Sequence, residues 1–308
     1  MPELPEVETM RRGISGVVGG RIKQVVRPRC RLRPISIEPE PSRFRRRIVG
    51  RTITGVDRLG KRLVLRLDGK DGHSPDAIVI EPRMTGLVLV ADPPDREHLR
   101  FGFELTGGSV PEVWFWDRRG LGSVRLLTVA ELESRFGLDR VGPDALQISS
   151  DEMMTRMAAS RREIKVALLD QRALAGVGNL YASEILHLAG VHPHRRCDEM
   201  KPADWQQVHA AMREVLQEAI RYEGSTLADG TYRNALNNAG NYQHHHRVYD
   251  RADQPCGVCG TIIVRVVQAQ RSTFFCPRCQ PLRRLSPPRK GVLSGERKTT
   301  SASLSNRA

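Results

Sequence analysis

The residues with the most pronounced chemical potential stand at the start of the chain, Met1-Pro2-Glu3. Removal of the initiator methionine would leave a proline whose backbone nitrogen is a free secondary amine. An α-amino group titrates at about 7.7 to 8.0, against about 10.4 for a lysine side chain, so near neutral pH a sizeable fraction is an unprotonated nucleophile. Such an amine attacking an aldehydic sugar carbon gives a cationic iminium, which draws electrons out of adjacent C–H and C–O bonds. Glu3 stands next in line to carry protons. The run Pro2-Glu3-Leu4-Pro5-Glu6 also reads as an extended entry to a helix over Val7–Arg12, with proline near the helix start and carboxylates in the first turn.

A second cluster lies near the other end. Cys256, Cys259, Cys276 and Cys279 fall as C-x2-C-x16-C-x2-C, while Cys30 and Cys197 stand alone. Two close pairs in a chain without an export signal favour metal ligation over disulfides. The residues between the pairs read as two alternating strands and a turn, which would bring four thiolates to one tetrahedral zinc. A structural zinc of this kind contributes roughly 10 to 16 kcal/mol in small domains. The signal is specific for metal and silent about function.

The net charge is +14 with 49 Lys and Arg against 35 Asp and Glu, which favours a polyanionic partner. Residues 281–308 carry seven Lys or Arg and one Glu, so +6 of the +14 sits in the tail and +8 on the remainder. No apolar run is long enough for a bilayer and no signal-peptide core is present, so a cytoplasmic protein is expected.

These groups need elements to position them. Strands are expected at Ile22–Val26, Arg51–Val56, Leu63–Leu67, Ala77–Ile80, Leu87–Val90, Leu99–Leu105 and Val113–Trp116, separated by Gly, Pro and Asp, a spacing that suggests a β-sandwich. The stretch from Asp68 to Asp76 reads as a solvated loop. The pattern then turns amphipathic after Thr128 and breaks at Gly142-Pro143-Asp144. Helical periodicity follows at Asp151–Ala159, Glu163–Asp170, Asn179–Ala189 and Pro202–Tyr222. Between Gly224 and Arg247 the sequence is polar and aperiodic, a loose loop in which His244, His245 and His246 read as a solvated run. The expected class is multidomain α+β. An N-terminal sandwich with a leading helix (1–130) and a linker (131–149) precede a helical domain (150–225). A capping loop (226–246), a zinc hairpin (247–281) and a disordered basic tail (282–308) follow.

The run PELPEVET resembles the amino terminus of formamidopyrimidine-DNA glycosylases, bacterial repair enzymes that excise oxidised purines. Ile164–Ala182, containing Gly176-x-Gly178-Asn179, resembles the helix-two-turns-helix signature of their superfamily, and Gln270-Arg271-Ser272-Thr273 resembles their zinc finger. The Gly-x-Gly pair follows a helix instead of a strand, which rules out a dinucleotide loop. It would let backbone approach a phosphate where the next helix begins. The resemblance covers residues 1 to about 281.

It implies a glycosylase and abasic-site lyase acting on damaged duplex DNA as a monomer, with one structural zinc and no nucleotide or magnesium. Pro2 would be the nucleophile and Glu3 the proton carrier. Lys61, otherwise a surface lysine before a strand, would contact DNA beside the lesion and support base removal, and Arg271 would reach the phosphates of the damaged strand. His98, with Arg100 beside it, and Asn179 would meet phosphates, and Lys165 would lie near the lesion. An enzyme that extrudes a nucleotide must fill the vacancy. Met84, Arg119 and Leu121, each also readable as ordinary core or turn, would form that wedge. Tyr242 would line the base pocket. The sequence departs from the family where Leu121 replaces a frequent phenylalanine, and where Ala228 and Gly230 replace basic and aromatic residues. Two other readings use the same residues, a sister glycosylase for oxidised pyrimidines and a damage-binding protein without chemistry.

Overall fold

The structure is a computed structural model describing residues 1–69 and 75–282; residues 70–74 of the expected loop and 283–308 of the expected tail lie outside the described residues. Elements are numbered in chain order. Helix α1 (Leu4–Gly13) starts with Pro5 in its first turn, where a missing N–H costs nothing. Glu6 Oε2 accepts the Glu3 N–H at 2.8 Å and closes that end. Leu4, Val7 and Met10 are all fully buried because the helix lies between two cores. Val7 and Met10 belong to the first, Leu4 to the second.

The first core is the expected sandwich. Its strands are β1 (Arg21–Val26), β2 (Ser36–Glu38), β3 (Ile53–Leu59), β4 (Arg62–Leu67), β5 (Asp76–Glu81), β6 (Gly86–Leu89), β7 (Leu99–Thr106), β8 (Glu112–Asp117) and β9 (Ser123–Thr128). They form a four-stranded sheet, β1-β7-β8-β6, and a five-stranded sheet, β2-β9-β5-β4-β3. Period-two alternation sorts the side chains of the second sheet. Leu63, Leu65, Ile78 and Ile80 enter the core shared with Phe101, Phe103 and Phe115. Val64, Ala77, Val79 and Leu127 face the opposite way, where Leu132 and Phe136 of α3 (Val129–Phe136) cover them. The first eight residues after the sandwich are therefore a helix packed on it, and the expected linker shortens to the stretch after Phe136.

Two local expectations change. Asp76 ends no solvated loop: it is buried, starts β5, and accepts from Arg51 at 2.6 Å and Arg47 at 2.8 Å. Arg51 in turn leaves its expected strand, which runs from Ile53 to Leu59. Helix α2 (Pro41–Ile48) shows only Phe44 and Ile48 as buried apolar signal among its arginines.

The second core is helical, built from α4 (Ser150–Met157), α5 (Ile164–Leu168), α6 (Asn179–Leu188) and α7 (Pro202–Arg221). Trp205, Tyr181 and Ile185 are among its fully buried side chains. The segment after α7 is better fixed than its polar sequence suggests. Thr226 Oγ1 donates to the Tyr232 carbonyl at 2.7 Å, and the Ala235 carbonyl accepts from Val90 of the sandwich at 2.9 Å. Tyr232 and Ala235 join the sandwich core. The last strands among the described residues form a hairpin, β10 (Val264–Gln268) and β11 (Arg271–Phe275), paired antiparallel.

Candidate active site

Glu3 is buried one residue from Pro2, at the junction of both cores. Its Oε1 accepts the Leu180 N–H at 3.2 Å, in the first turn of α6, where unpaired N–H groups and the helix dipole favour an anion. Gly178 must be glycine here, because a Cβ would overlap the Glu3 carboxyl carbon. Gly176 adopts φ +108° and its carbonyl accepts the Leu4 N–H at 3.1 Å. The Gly-x-Gly turn was expected to approach a phosphate; the anion it receives is the protein's own Glu3. The second oxygen, Oε2, is buried with no hydrogen-bond partner among the described residues. A buried, unpaired carboxylate oxygen is costly unless a ligand group meets it.

Glu6, not singled out by the sequence, is the hub beneath. Besides Glu3 it accepts from the Tyr181 hydroxyl at 2.5 Å and from the Ser225 N–H at 2.9 Å. Burial, and then the charge of Glu3, push its carboxyl above the usual range. Met1, Pro2, Glu6, Met84, Ser225 and Tyr232 are among the residues that line one cavity. The enclosed space is about 20 Å³, room for roughly one water. Among the departures noted above, Gly230 takes φ +62° with open space around it, and Ala228 adds no charge.

Charges converge on Glu3 from three elements. Lys61 stands at the β3–β4 turn, after Gly60 at φ +58°. Burial lowers its ammonium below the ordinary range, with the Glu3 carboxylate opposing and Arg271 reinforcing. Arg271 is exposed at the hairpin tip, held by a tight turn in which Ala269 and Gln270 have φ of +46° and +61°.

Lys165, expected near the lesion, is engaged by protein groups within reach of the Glu3 and Arg271 charges. It is 1% exposed, and its ammonium donates to Asn179 Oδ1 at 2.7 Å, Thr273 Oγ1 at 2.7 Å and the Ser272 carbonyl at 3.0 Å. Asn179 adds a bond from Nδ2 to the same carbonyl at 3.0 Å. Burial and then Arg271 bring Lys165 down to about 8. All three of its protons are engaged by protein, so the lysine staples the hairpin to α5 and α6.

The three residues expected to form a wedge stand on two linked loops. Met84 and Arg119 are exposed and Leu121 is half-buried. Their two loops are knitted by the fully buried Asp117. Its Oδ1 accepts from the Thr85 hydroxyl at 2.5 Å and the Arg119 N–H at 3.2 Å, and its Oδ2 from the Gly122 N–H at 2.8 Å. His98 is oriented by Asp95, 2.8 Å from its Nδ1, and lies against Trp116. Arg100 is buried with Nε on the Asp117 carbonyl, so it supports the wedge loop from behind.

Tyr242 does not line the cavity. It is fully buried in the helical core, 5.8 Å from the Tyr181 ring, with its hydroxyl accepting from Arg247 at 3.2 Å. The tyrosine at the cavity is Tyr232. The histidine run is likewise not simply solvated. His246 is buried with Nε2 3.0 Å from Ser225 Oγ, and burial lowers it to about 4, while His245 stacks on Tyr222 at 3.8 Å.

The four cysteine sulfurs lie within 4.8 Å of one another, with Cys256–Cys279 at 3.9 Å and Cys259–Cys276 at 3.4 Å. Zn–S bonds of about 2.3 Å in a tetrahedron need S···S edges of about 3.8 Å, so the donor set fits one zinc. Among the described residues this is the one such cluster.

A model of the formamidopyrimidine-DNA glycosylase N-terminal domain matches residues 1–124, that of its H2TH domain 141–230, and that of the zinc finger found in FPG and IleRS 253–282. The formamidopyrimidine-DNA glycosylase of Chloroflexus aurantiacus is 39% identical over 283 residues, covering 91% of this chain and 98% of that one. The MutM (FPG) protein of Thermus thermophilus superposes with a TM-score of 0.77 at 35% identity, covering 91% and 98% of the two chains. Lactococcus lactis FPG in complex with Fapy-dG-containing DNA gives 0.76 at 27% identity, covering 91% and 100%. An amine-bearing terminus docked on the helix-two-turns-helix turn, a four-thiolate finger and these matches have one reading: the chain belongs to the formamidopyrimidine-DNA glycosylase family.

Proposed function

We propose that the protein excises oxidised purines, including 8-oxoguanine and formamidopyrimidines, from duplex DNA and then cleaves the strand as an abasic-site lyase. The observation that carries this is the unpaired, buried Oε2 of Glu3, one residue along the chain from Pro2, which with Met1 lines the small cavity. Loss of Met1 would free the proline nitrogen and remove a side chain from that cavity's wall.

In this reading the Pro2 nitrogen attacks C1′. The glycosidic bond breaks and its electron pair leaves with the base, which takes up a proton. The sugar ring opens to an iminium as Glu3 transfers a proton to the ring oxygen. The iminium acidifies C2′; loss of that proton expels the 3′-phosphate, and a further elimination expels the 5′-phosphate. Lys61 and Arg271 bring positive charge to the phosphates around the reacting sugar, with His98 and Asn179 as further phosphate ligands. Met84, Arg119 and Leu121 fill the vacated stack. Zinc, held by Cys256, Cys259, Cys276 and Cys279, supplies rigidity to the hairpin that carries Arg271.

The named relatives are all formamidopyrimidine-DNA glycosylases, which supports the purine reading over the pyrimidine one. We place the enzyme in the cytoplasm as a monomer. The thiols are all unbridged, which suits a reducing compartment, and no helix among the described residues is long and apolar enough to cross a membrane. Borohydride trapping on a duplex containing 8-oxoguanine tests the chemistry. The mature chain should form a covalent adduct at its terminal proline, and thymine glycol should trap less. Binding without an adduct would overturn it.

A further inference from the structure

We infer that the loop between β1 and β2 is a second duplex-binding surface, gripping phosphates on the far side of the wedge from the Pro2 cavity. The inference rests on the duplex-DNA reading above. Its sequence, Arg27-Pro28-Arg29-Cys30-Arg31-Leu32-Arg33-Pro34, places four arginines at alternate positions, and all four are exposed. None lies within ion-pair distance of a carboxylate among the described residues. Several other arginines of this half find partners, Arg51 with Asp76, Arg58 with Asp144, Arg62 with Glu81 and Arg135 with Glu38. Four unbalanced positive charges in seven residues repel one another, and a polyanion relieves that repulsion.

The loop is fixed relative to the wedge at three points. Gly120, at φ +60°, lies so close to the Arg33 carbonyl that any Cβ would overlap it. The Ser36 N–H donates to the Gly122 carbonyl at 3.3 Å. Buried Arg100 donates to the Asp117 carbonyl at 2.8 Å and the Arg118 carbonyl at 3.3 Å, and its remaining arm donates to Cys30 Sγ. The thiol passes the tie on, donating to the Glu97 carbonyl at 3.3 Å.

A chain of contacts therefore links the cavity to the loop, from Met84 and Thr85 on its wall to Arg119, and from Gly120 to Arg33. A duplex with Arg119 in its stack continues over this loop. Guanidinium groups suit phosphodiesters through paired N–H donors, and Leu32, 37% exposed between Arg31 and Arg33, offers an apolar contact to sugar. The surface reads no sequence and no lesion, so it should act on any duplex.

The test is the salt dependence of binding to undamaged and to 8-oxoguanine duplexes for the parent, Arg31→Ala/Arg33→Ala, and Arg31→Lys/Arg33→Lys. Each lost phosphate contact lowers the slope of log K against log salt by about 0.9. The alanine pair should lose between one and two such steps and weaken both duplexes by the same factor, leaving their affinity ratio unchanged. The lysine pair should keep the parental slope. An unchanged slope, or a loss confined to the damaged duplex, would overturn the inference, while thermal melting of each variant verifies the fold. Because the parent is trapped with borohydride in parallel, absence of any adduct would indict the chemical reading and an unchanged slope the loop alone.

Discussion

The sandwich and the terminal hairpin are both antiparallel β-structure, yet they hold their working residues by opposite means. The sandwich carries Met84, Lys61 and Arg119 on turns at the edge of a large apolar core in which Phe44, Phe101, Phe103 and Phe115 are nearly or fully buried. Each such ring contributes about 1.5 to 3 kcal/mol, so no single one is decisive. The hairpin has two five-residue strands, exposes Val264 and Val267, and has a small core of its own, built on Val248, Ile263, Phe274 and two of its own cysteines. A two-stranded ribbon of this size is marginal by itself. Its tip residue Arg271 stays in place through four sulfurs and one lysine. Distributed burial tolerates loss; concentrated bonding does not.

Removing the metal should give the largest separation between the two. Chelation, or Cys279→Ser, withdraws roughly 10 kcal/mol or more from the hairpin and nothing from the sandwich. Hydrogen exchange should show protection lost over 264–275 and retained in β4, β5 and β7. Uniform loss across both would break the contrast.

Next comes Lys165→Met, which leaves Asn179 Oδ1 and Thr273 Oγ1 without their donor and the Ser272 carbonyl with Asn179 Nδ2 alone. Breaking a buried charged network costs about 3 to 5 kcal/mol. The hairpin should keep its zinc, measured by metal content, while adduct trapping falls because Arg271 is no longer aimed. Loss of zinc together with activity would mean that the staple and the metal act as one unit.

Gly178→Ala tests the turn that receives Glu3. Overpacking costs about 1 to 3 kcal/mol of stability, but displacement of a proton carrier lowers base release by about 10² to 10⁴. A single-turnover rate near the parent's would show that Glu3 can work from another position.

The smallest effect is a pH dependence at the junction. Burial alone would raise Glu8, yet Arg11, Arg12 and Arg58 hold it at about 2 instead of 4.5. A carboxylate depressed in the folded state contributes stability above its unfolded value and loses it as pH falls through the folded one. Acid unfolding should therefore steepen between about pH 4.5 and 2 in the parent and flatten in Glu8→Gln, by about 1 kcal/mol once solvent screening at the arginines is included. Equal curves would remove Glu8 from the account.

Much of this was legible beforehand because it is local. Short apolar runs between Gly, Pro and Asp located seven of the sandwich strands, and the spacing of the cysteines located the metal. The opening residues announced a helix start. What escaped is what distant segments decide. Glu6 looks like an ordinary capping residue until Tyr181 and Ser225 arrive from the helical half. Lys165 and Asn179 look free until the hairpin folds back over them. In the aperiodic stretch after α7 no pattern says which tyrosine turns inward. The Ala235–Val90 bond seats Tyr232 in the sandwich core and leaves Tyr242 to the helices. α2 was hidden by its arginines, and β2, only three residues long, by its brevity.

Because α1 gives Val7 and Met10 to one core and Leu4 to the other, it works as an axle between the halves. Residues 2 and 3 precede a rod wedged between two cores, so their placement depends on both cores being formed. Unfolding either half alone would loosen the other's grip on that end of the chain.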